Sequence, residues 1–299
     1  MTEEEKVITR RHFLKTGVCV AAGSLMGLPI LDNASVTAEQ RSRVALVRDM
    51  DVFTSTGAIR PDVLENMLDR AVTALLDTGD PQSAWKKLVK PGDIVGIKSN
   101  VWHYLPTPPS LESSIRKRLQ EAGVRKDDMS VDDRGVLTNP VFQHATALIN
   151  TRPMRTHHWS GLGTLIKNYI MFTRRPSDYH DNACENLGAI WKLPHVTGKT
   201  RLNILAMLTP LFQGAGPHHF SREHTWNYCG LIVSTDPVAA DATGARIIQA
   251  KRNSFFGAET PLSPPARHIA AADTRFGLGH SRPEQIHLIR MGYEKDILI

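Results

Sequence analysis

The chain has 299 residues and a formal net charge of +6, a length that suits one large domain and an excess that suits an anionic ligand or simple solubility. No basic tract is interleaved with aromatics, so nucleic acid is not an expected partner. Nor is any stretch beyond the N-terminal leader apolar enough to cross a bilayer.

The leader comes first. "TRRHFLKTG" pairs Arg10 with Arg11, followed by Phe13, Leu14 and Lys15, and "VCVAAGSLMGLPIL" is too short and too rich in glycine for a membrane span. This pattern predicts a twin-arginine signal over residues 1–38, with cleavage after Ala38, and a mature domain over residues 39–299. The expected partner is the twin-arginine translocase and the expected location is the periplasm or the exterior, reached already folded. Cys184 and Cys229 remain after cleavage. They form either one disulfide or two buried thiols. No C-x-x-C pair is present, so an iron–sulfur cluster held by local cysteines is not expected.

From there apolar runs alternate with helical patterns. "RVALVRD" (43–49) reads as a strand. In "RPDVLENMLDRAVTALLDTG" the apolar residues Leu64, Leu68, Val72 and Leu75 fall at helical spacing, with Pro61 at a first turn and Gly79 at a stop. "GDIVGIKSN" is a buried strand, "PSLESSIRKRLQEAG" a helix closed by Gly123, and "DDMSVDDRG" a strand ending in Asp132, Asp133 and Arg134. "TALIN" leads into "RTHHWSGLGTLIKNY" (155–169), where a helix is expected to carry Leu162, Leu165, Ile166, Tyr169 and Ile170 inward. "RLNILAML", "CGLIVSTD" and "QIHLIRMG" are later strands. "PVAADATGARIIQAK" and "PPARHIAAAD" are helices, and "ETPLSPP" is a loop. This alternation predicts an α/β fold, a mostly parallel sheet with helices on both faces in a single large domain. Ligands of such folds sit past the carboxyl ends of strands. The polar groups there are Asp49, Asp51, Lys98, Asn100, Asp132, Asp133, Asn150, Arg155 and Asp236.

Four motifs bear on chemistry. "VTGKT" (196–200) fails as a phosphate-binding loop, because position 193 is Leu and the segment leads into a strand. "GAGPHHFSREH" offers His218, His219 and His224, either as metal ligands or as solvated histidines beside a pocket. In "STDPVAADATG", Asp236 either caps the next helix or binds a ligand. "RTHHWSGLGTLIKNY" combines His157, His158, close-approach glycines at Gly161 and Gly163, and the cations Arg155 and Lys167. It is either an anion site at a helix start or a polar loop feeding a core helix.

These residues resemble the domain-of-unknown-function 362 family, in "VGIKSN", "TPPSL…LQEAGV", "RTHHWSGLGTLIKN", "GAGP" and "STDPVAADATG", over about residues 44 to 291. Exported members with twin-arginine signals are familiar in that family. Some relatives carry a ferredoxin-like cluster domain, which this chain lacks. Many have an Asp in the strand matching "LNILAML", where Ala206 and Met207 stand here. A fainter resemblance is to the nickel-pincer lactate racemase family, through "HHWSGLGTLIK" and "YHDNAC". It implies that Lys167 anchors a pyridine-type cofactor, His180 ligates metal and His157 acts as acid–base. Where that family has a further histidine, this chain has Asp133 and Arg134.

The resulting expectation is a metal or anionic cofactor held in one pocket. His157 and Lys167 carry catalysis. Lys98, Arg155, His158, Gly161, Asn168 and Asp236 bind the cofactor, and His180, His218 and His219 bind a divalent metal. The activity is either proton transfer on a small acid or non-catalytic binding and carriage. The oligomeric state is left open.

Overall fold

The computed structural model describes residues 41–214 and 220–299. The leader and cleavage site, and His218 and His219, lie outside them. Among the described residues the eight strands are β1 (Ser42–Arg48), β2 (Val95–Lys98), β3 (Met129–Asp132), β4 (Ala147–His157), β5 (Gly161–Gly163), β6 (Thr200–Leu211), β7 (Gly230–Ser234) and β8 (Ile286–Gly292). They form one sheet in the order β3-β2-β4-β6-β7-β1-β8, with β5 paired to β4. The strands β3, β2, β4 and β6 are mutually parallel, as are β1 and β8. In contrast, β7 runs antiparallel to both β6 and β1. The sheet is therefore α/β as expected, but mixed. Parallel neighbours need a crossover, usually a helix, and the described residues between β6 and β7 contain no α-helix.

Helices cover both faces. On one side lie α1 (Pro61–Leu76), α2 (Pro81–Leu88) and α3 (Pro109–Glu121). Leu64, Leu68, Trp85, Leu111 and Ile115 from these helices pack with Ala45, Val47, Ile97 and Ile149 of the sheet. The short helix α4 (Pro140–His144) lies against the other face with α5 (Leu165–Asn168), α6 (Pro237–Phe256) and α7 (Arg267–Thr274). There Val44, Leu46, Leu148 and Met154 meet Leu165, Ile166, Tyr169, Val238 and Ile248. Adjacent β1 residues thus feed opposite cores, which is why the strand reads as a continuous apolar run. The close fit of α6 on β6 depends on Gly244, where a Cβ would come within 2.7 Å of Leu205 Cδ2.

The helix α2 was not expected. Its signal is local: Asp80 accepts from the Ser83 amide at 2.9 Å and Pro81 stands at the first helical position. On α1, Leu68 is fully buried, and Leu68→Ala is expected to cost about 2–5 kcal/mol, read as a lower urea midpoint. An unchanged midpoint would place Leu68 off the apolar stripe.

The largest local departure is at 155–169. The expected helix start is instead a hairpin. Strand β4 runs on through His157 and turns at residues 158–160, and β5 pairs back, Arg155 with Gly163 and His157 with Gly161. Gly161 has φ +70°, and a Cβ there would sit 2.3 Å from the Pro264 carbonyl oxygen. The glycine therefore permits close approach of the chain's own backbone, where a ligand was expected. A four-residue α-helix follows and passes directly into a 3-10 helix over Tyr169–Phe172.

Candidate functional site

The carboxyl end of β2, Asp133 just after β3 and the first half of β4 come together beside α5. Lys98, the last residue of β2, extends its amine to Asp133 Oδ1 at 2.5 Å, to the Ser99 carbonyl at 2.7 Å and to Asn168 Oδ1 at 3.3 Å. Asn168 in turn donates to Asn150 Oδ1 at 2.9 Å and to the carbonyls of Thr151 and Lys98. Asn150 continues the chain to Asn203 Oδ1 at 3.1 Å. These groups are buried, and their mutual bonds satisfy polar atoms that would otherwise be costly to desolvate. Burial draws the Lys98 pKa down to about 8, opposed by the Asp133 charge. Burial would raise Asp133, but the Lys98 charge and hydrogen bond and the Val101 amide outweigh it and hold the carboxyl below its ordinary range. The pair is ionised at neutral pH. Lys98 and Asn168, expected to bind a cofactor, are chiefly a frame that ties three strands to α5.

Above this frame lies a cavity of about 170 Å³. Arg152, Arg155, His157 and Lys167 line it, with Asn100, Asp133, Arg134 and Asn168. Trp102, Ile170 and Met171 form its apolar wall. Two arginines three residues apart on a regular strand point to opposite faces. Here β4 shifts register between Pro153 and Arg155, and the irregularity turns both toward the same space. Arg152 Nη1 donates to the Thr164 carbonyl at 3.1 Å. Arg155 Nη1 donates to Asn100 Oδ1 at 2.9 Å, and its guanidinium lies 4.3 Å from the Trp102 ring centroid. Arg155 Nε is buried and has no hydrogen-bond partner.

Burial and this cationic crowding act together on Arg155, Lys167 and His157. Burial, then the Arg152 charge, holds Arg155 well below the ordinary arginine range. Burial lowers Lys167 to about 8; Cys184 opposes the shift, and Arg152 and Arg155 deepen it. His157 is driven far below the usual histidine range by burial and by the charges of Lys167, Arg152 and Arg155. It is therefore neutral. Its Nδ1 accepts from the Trp159 amide at 3.2 Å, which leaves Nε2 as the N–H.

The anion expected at the start of α5 is supplied from within. Asp241 Oδ1 and Oδ2 accept from the amides of Leu165 at 2.9 Å and Ile166 at 2.8 Å. Thr164 Oγ1 takes the Lys167 amide and contacts His268 Nε2 at 2.9 Å. Those amides are not open to a ligand.

The remaining expected residues scatter. Asp236 caps α6, accepting from Val238 and Ala239, while its other oxygen accepts from Ser42 Oγ and the His280 amide. It does not line the cavity. Gly161 lines a neighbouring cavity of about 260 Å³ with Thr156, His157 and Arg252. His158 packs its ring on Trp159 at 4.0 Å, and His180 stacks on the same indole at 3.9 Å. Burial, then the charge of Lys167, lowers His180 to about 4. Among the described residues no three His, Cys, Asp or Glu side chains come together as a metal site. Cys184 and Cys229 are buried free thiols.

Residues 118–246 match the family model of a domain of unknown function, DUF362. The match supports the DUF362 resemblance carried by the motifs. It spans β3 to the middle of α6 and so includes Asp133, Arg152, Arg155, His157, Lys167 and Asp241. Lys98, Asn100 and Trp102 stand before the DUF362 match yet complete the same cavity and its frame. No curated protein and no solved structure matches the chain.

Proposed function

We propose that this is an exported DUF362 protein that binds a small organic or inorganic anion in the cavity between β4 and α5. One observation carries the reading. Arg152, Arg155 and Lys167 line a space whose single carboxylate, Asp133, is already bonded to Lys98, and Arg155 Nε has no partner. Buried charges without partners are costly, so such a cluster calls for an anion. Arg155 and Arg152 would fork the anion, and Lys167 would add a point charge. Neutral His157, drawn up by the anion's charge, would be available for proton transfer on a small acid. The alternative is binding and carriage without turnover.

A nickel-type cofactor fits these residues only in part. His157 and Lys167 share the cavity, but His180 packs on Trp159 and is not part of its lining.

The test uses protein recovered from the export pathway. A chain beginning at Glu39 supports cleavage of the leader, and an intact leader in that fraction overturns it. Calorimetric titration of that protein with phosphate and with lactate is expected to give saturable heat for at least one. Arg155→Ala should weaken that binding about tenfold to a hundredfold, the loss of one charged hydrogen bond. Equal affinity in the variant would move the anion elsewhere.

A further inference from the structure

Two buried lysines serve this region, and they are held differently. Lys98 spends its amine on a carboxylate, a carbonyl and an amide oxygen. Lys167 lines the cavity, and among the described residues its amine bonds only the thiol of Cys184, at 3.5 Å. No carboxylate lies within ion-pair distance of Lys167 among the described residues. Sulfur is a weak acceptor, and burial raises the Cys184 thiol above its ordinary range, so Cys184 brings no counter-charge. The thiol is also held at some expense: Asn182, Ala183 and Cys184 take φ of 48°, 57° and 62° in succession, a conformation costly for residues with a Cβ. Arg152 and Arg155 stand on the same cavity. A desolvated lysine beside other cations is the arrangement that turns an amine into a nucleophile toward carbonyl carbon.

We propose that Lys167 attacks the keto group of a small oxo acid whose carboxylate rests on Arg155 and Arg152. This rests on the small-anion reading and deepens it. The Nζ lone pair forms the bond to the carbonyl carbon, and the carbon–oxygen π pair moves to oxygen. Both amine protons leave with that oxygen as water, and an imine double bond remains. Free amine and ketone thus give imine and water, with no oxidant or reductant. His157, on the same cavity with its proton on Nε2, can donate a hydrogen bond to the oxygen as its negative charge develops, while the protons of the water come from the amine. The cavity is close in size to one that accepts a ring of roughly six carbons, which admits a short oxo acid and excludes a nucleotide. Trp102, Ile170 and Met171 suit an apolar substituent on it.

The experiment incubates the protein with pyruvate and sodium borohydride, then maps peptides by mass. Pyruvate and lactate are titrated calorimetrically in parallel. The expected result is the reduced pyruvate adduct on the Lys167 peptide, diminished by excess lactate and absent at that position in Lys167→Arg. Lactate itself should bind and leave no adduct. Binding of pyruvate or lactate without an adduct at Lys167 overturns the inference and leaves the anion site standing. Labelling spread evenly over surface lysines overturns it as well. No heat and no adduct with either acid overturns both the inference and the organic-acid form of the proposed function. The wild-type peptide map decides the matter even if Lys167→Arg fails to fold.

Discussion

Lys98→Met should lower the unfolding free energy by about 3–5 kcal/mol, because it removes one half of a buried ion pair and leaves Asp133 without its cation. The Asp133 side chain is only 7% exposed. Its other oxygen would still accept from the Val101 amide at 3.0 Å, too little for a desolvated carboxylate. The loss reaches further, since Asn168 Oδ1 would lose the Lys98 donor and β2 would lose a tie to α5. The change should also alter the dependence on pH. In the wild type the folded Asp133 lies below its unfolded value. The stability it contributes is present above the ordinary carboxylate range and is lost as pH falls through the depressed value. In Lys98→Met that contribution should vanish. Denaturant midpoints across the acid range check both statements. A variant as stable as wild type, with an unchanged acid limb, would show that the pair contributes nothing net.

Asp241→Ala is the second large effect. It leaves the Leu165 and Ile166 amides buried and unsatisfied, at a cost of about 1–3 kcal/mol each. It should loosen α5 and with it the placement of Lys167 and Asn168. Burial raises the Asp241 pKa to about 7, offset in part by the amides of Ile166 and Leu165. The folded value lies above the unfolded one. Proton uptake therefore favours the fold, fully below the unfolded carboxylate pKa near 4 and no longer once pH has risen through about 7. Asp241→Asn should remove that slope while keeping one accepting oxygen. Urea midpoints measured at about pH 5 and about pH 8 separate the cases. A slope equal to wild type in the Asn variant would assign it to another group.

Much of the site could be found in the sequence, but not its assembly. Lys98, Asn100, Asp133 and Arg155 stand at or near strand ends that periodicity locates, and Lys167 follows a histidine–glycine cluster. Arg152 is not among the residues the sequence singles out: strand alternation would set it on the opposite face from Arg155, and the register shift that reunites them has no local mark. Trp102 sits in a loop with no pattern, yet it stacks on Arg155. The reading of 155–169 as an anion-binding helix start failed for a related reason. Asp241, 76 residues from Leu165 along the chain, occupies those amides.

Local chemistry sufficed for most of the elements. Short apolar runs, Pro at first turns and helical stripes such as that of Leu64, Leu68 and Leu75 reflect forces acting over a few residues, so they can be read in order along the chain. The direction of β7, the register shift in β4, the saturation of Asn168 by β2 and β4 and the weak pairing of the Lys167 amine depend on partners brought together from far apart. Desolvation and charge crowding act through space, and Arg152, Arg155, His157 and Lys167 acquire their lowered pKa values only when the fold buries them around one cavity.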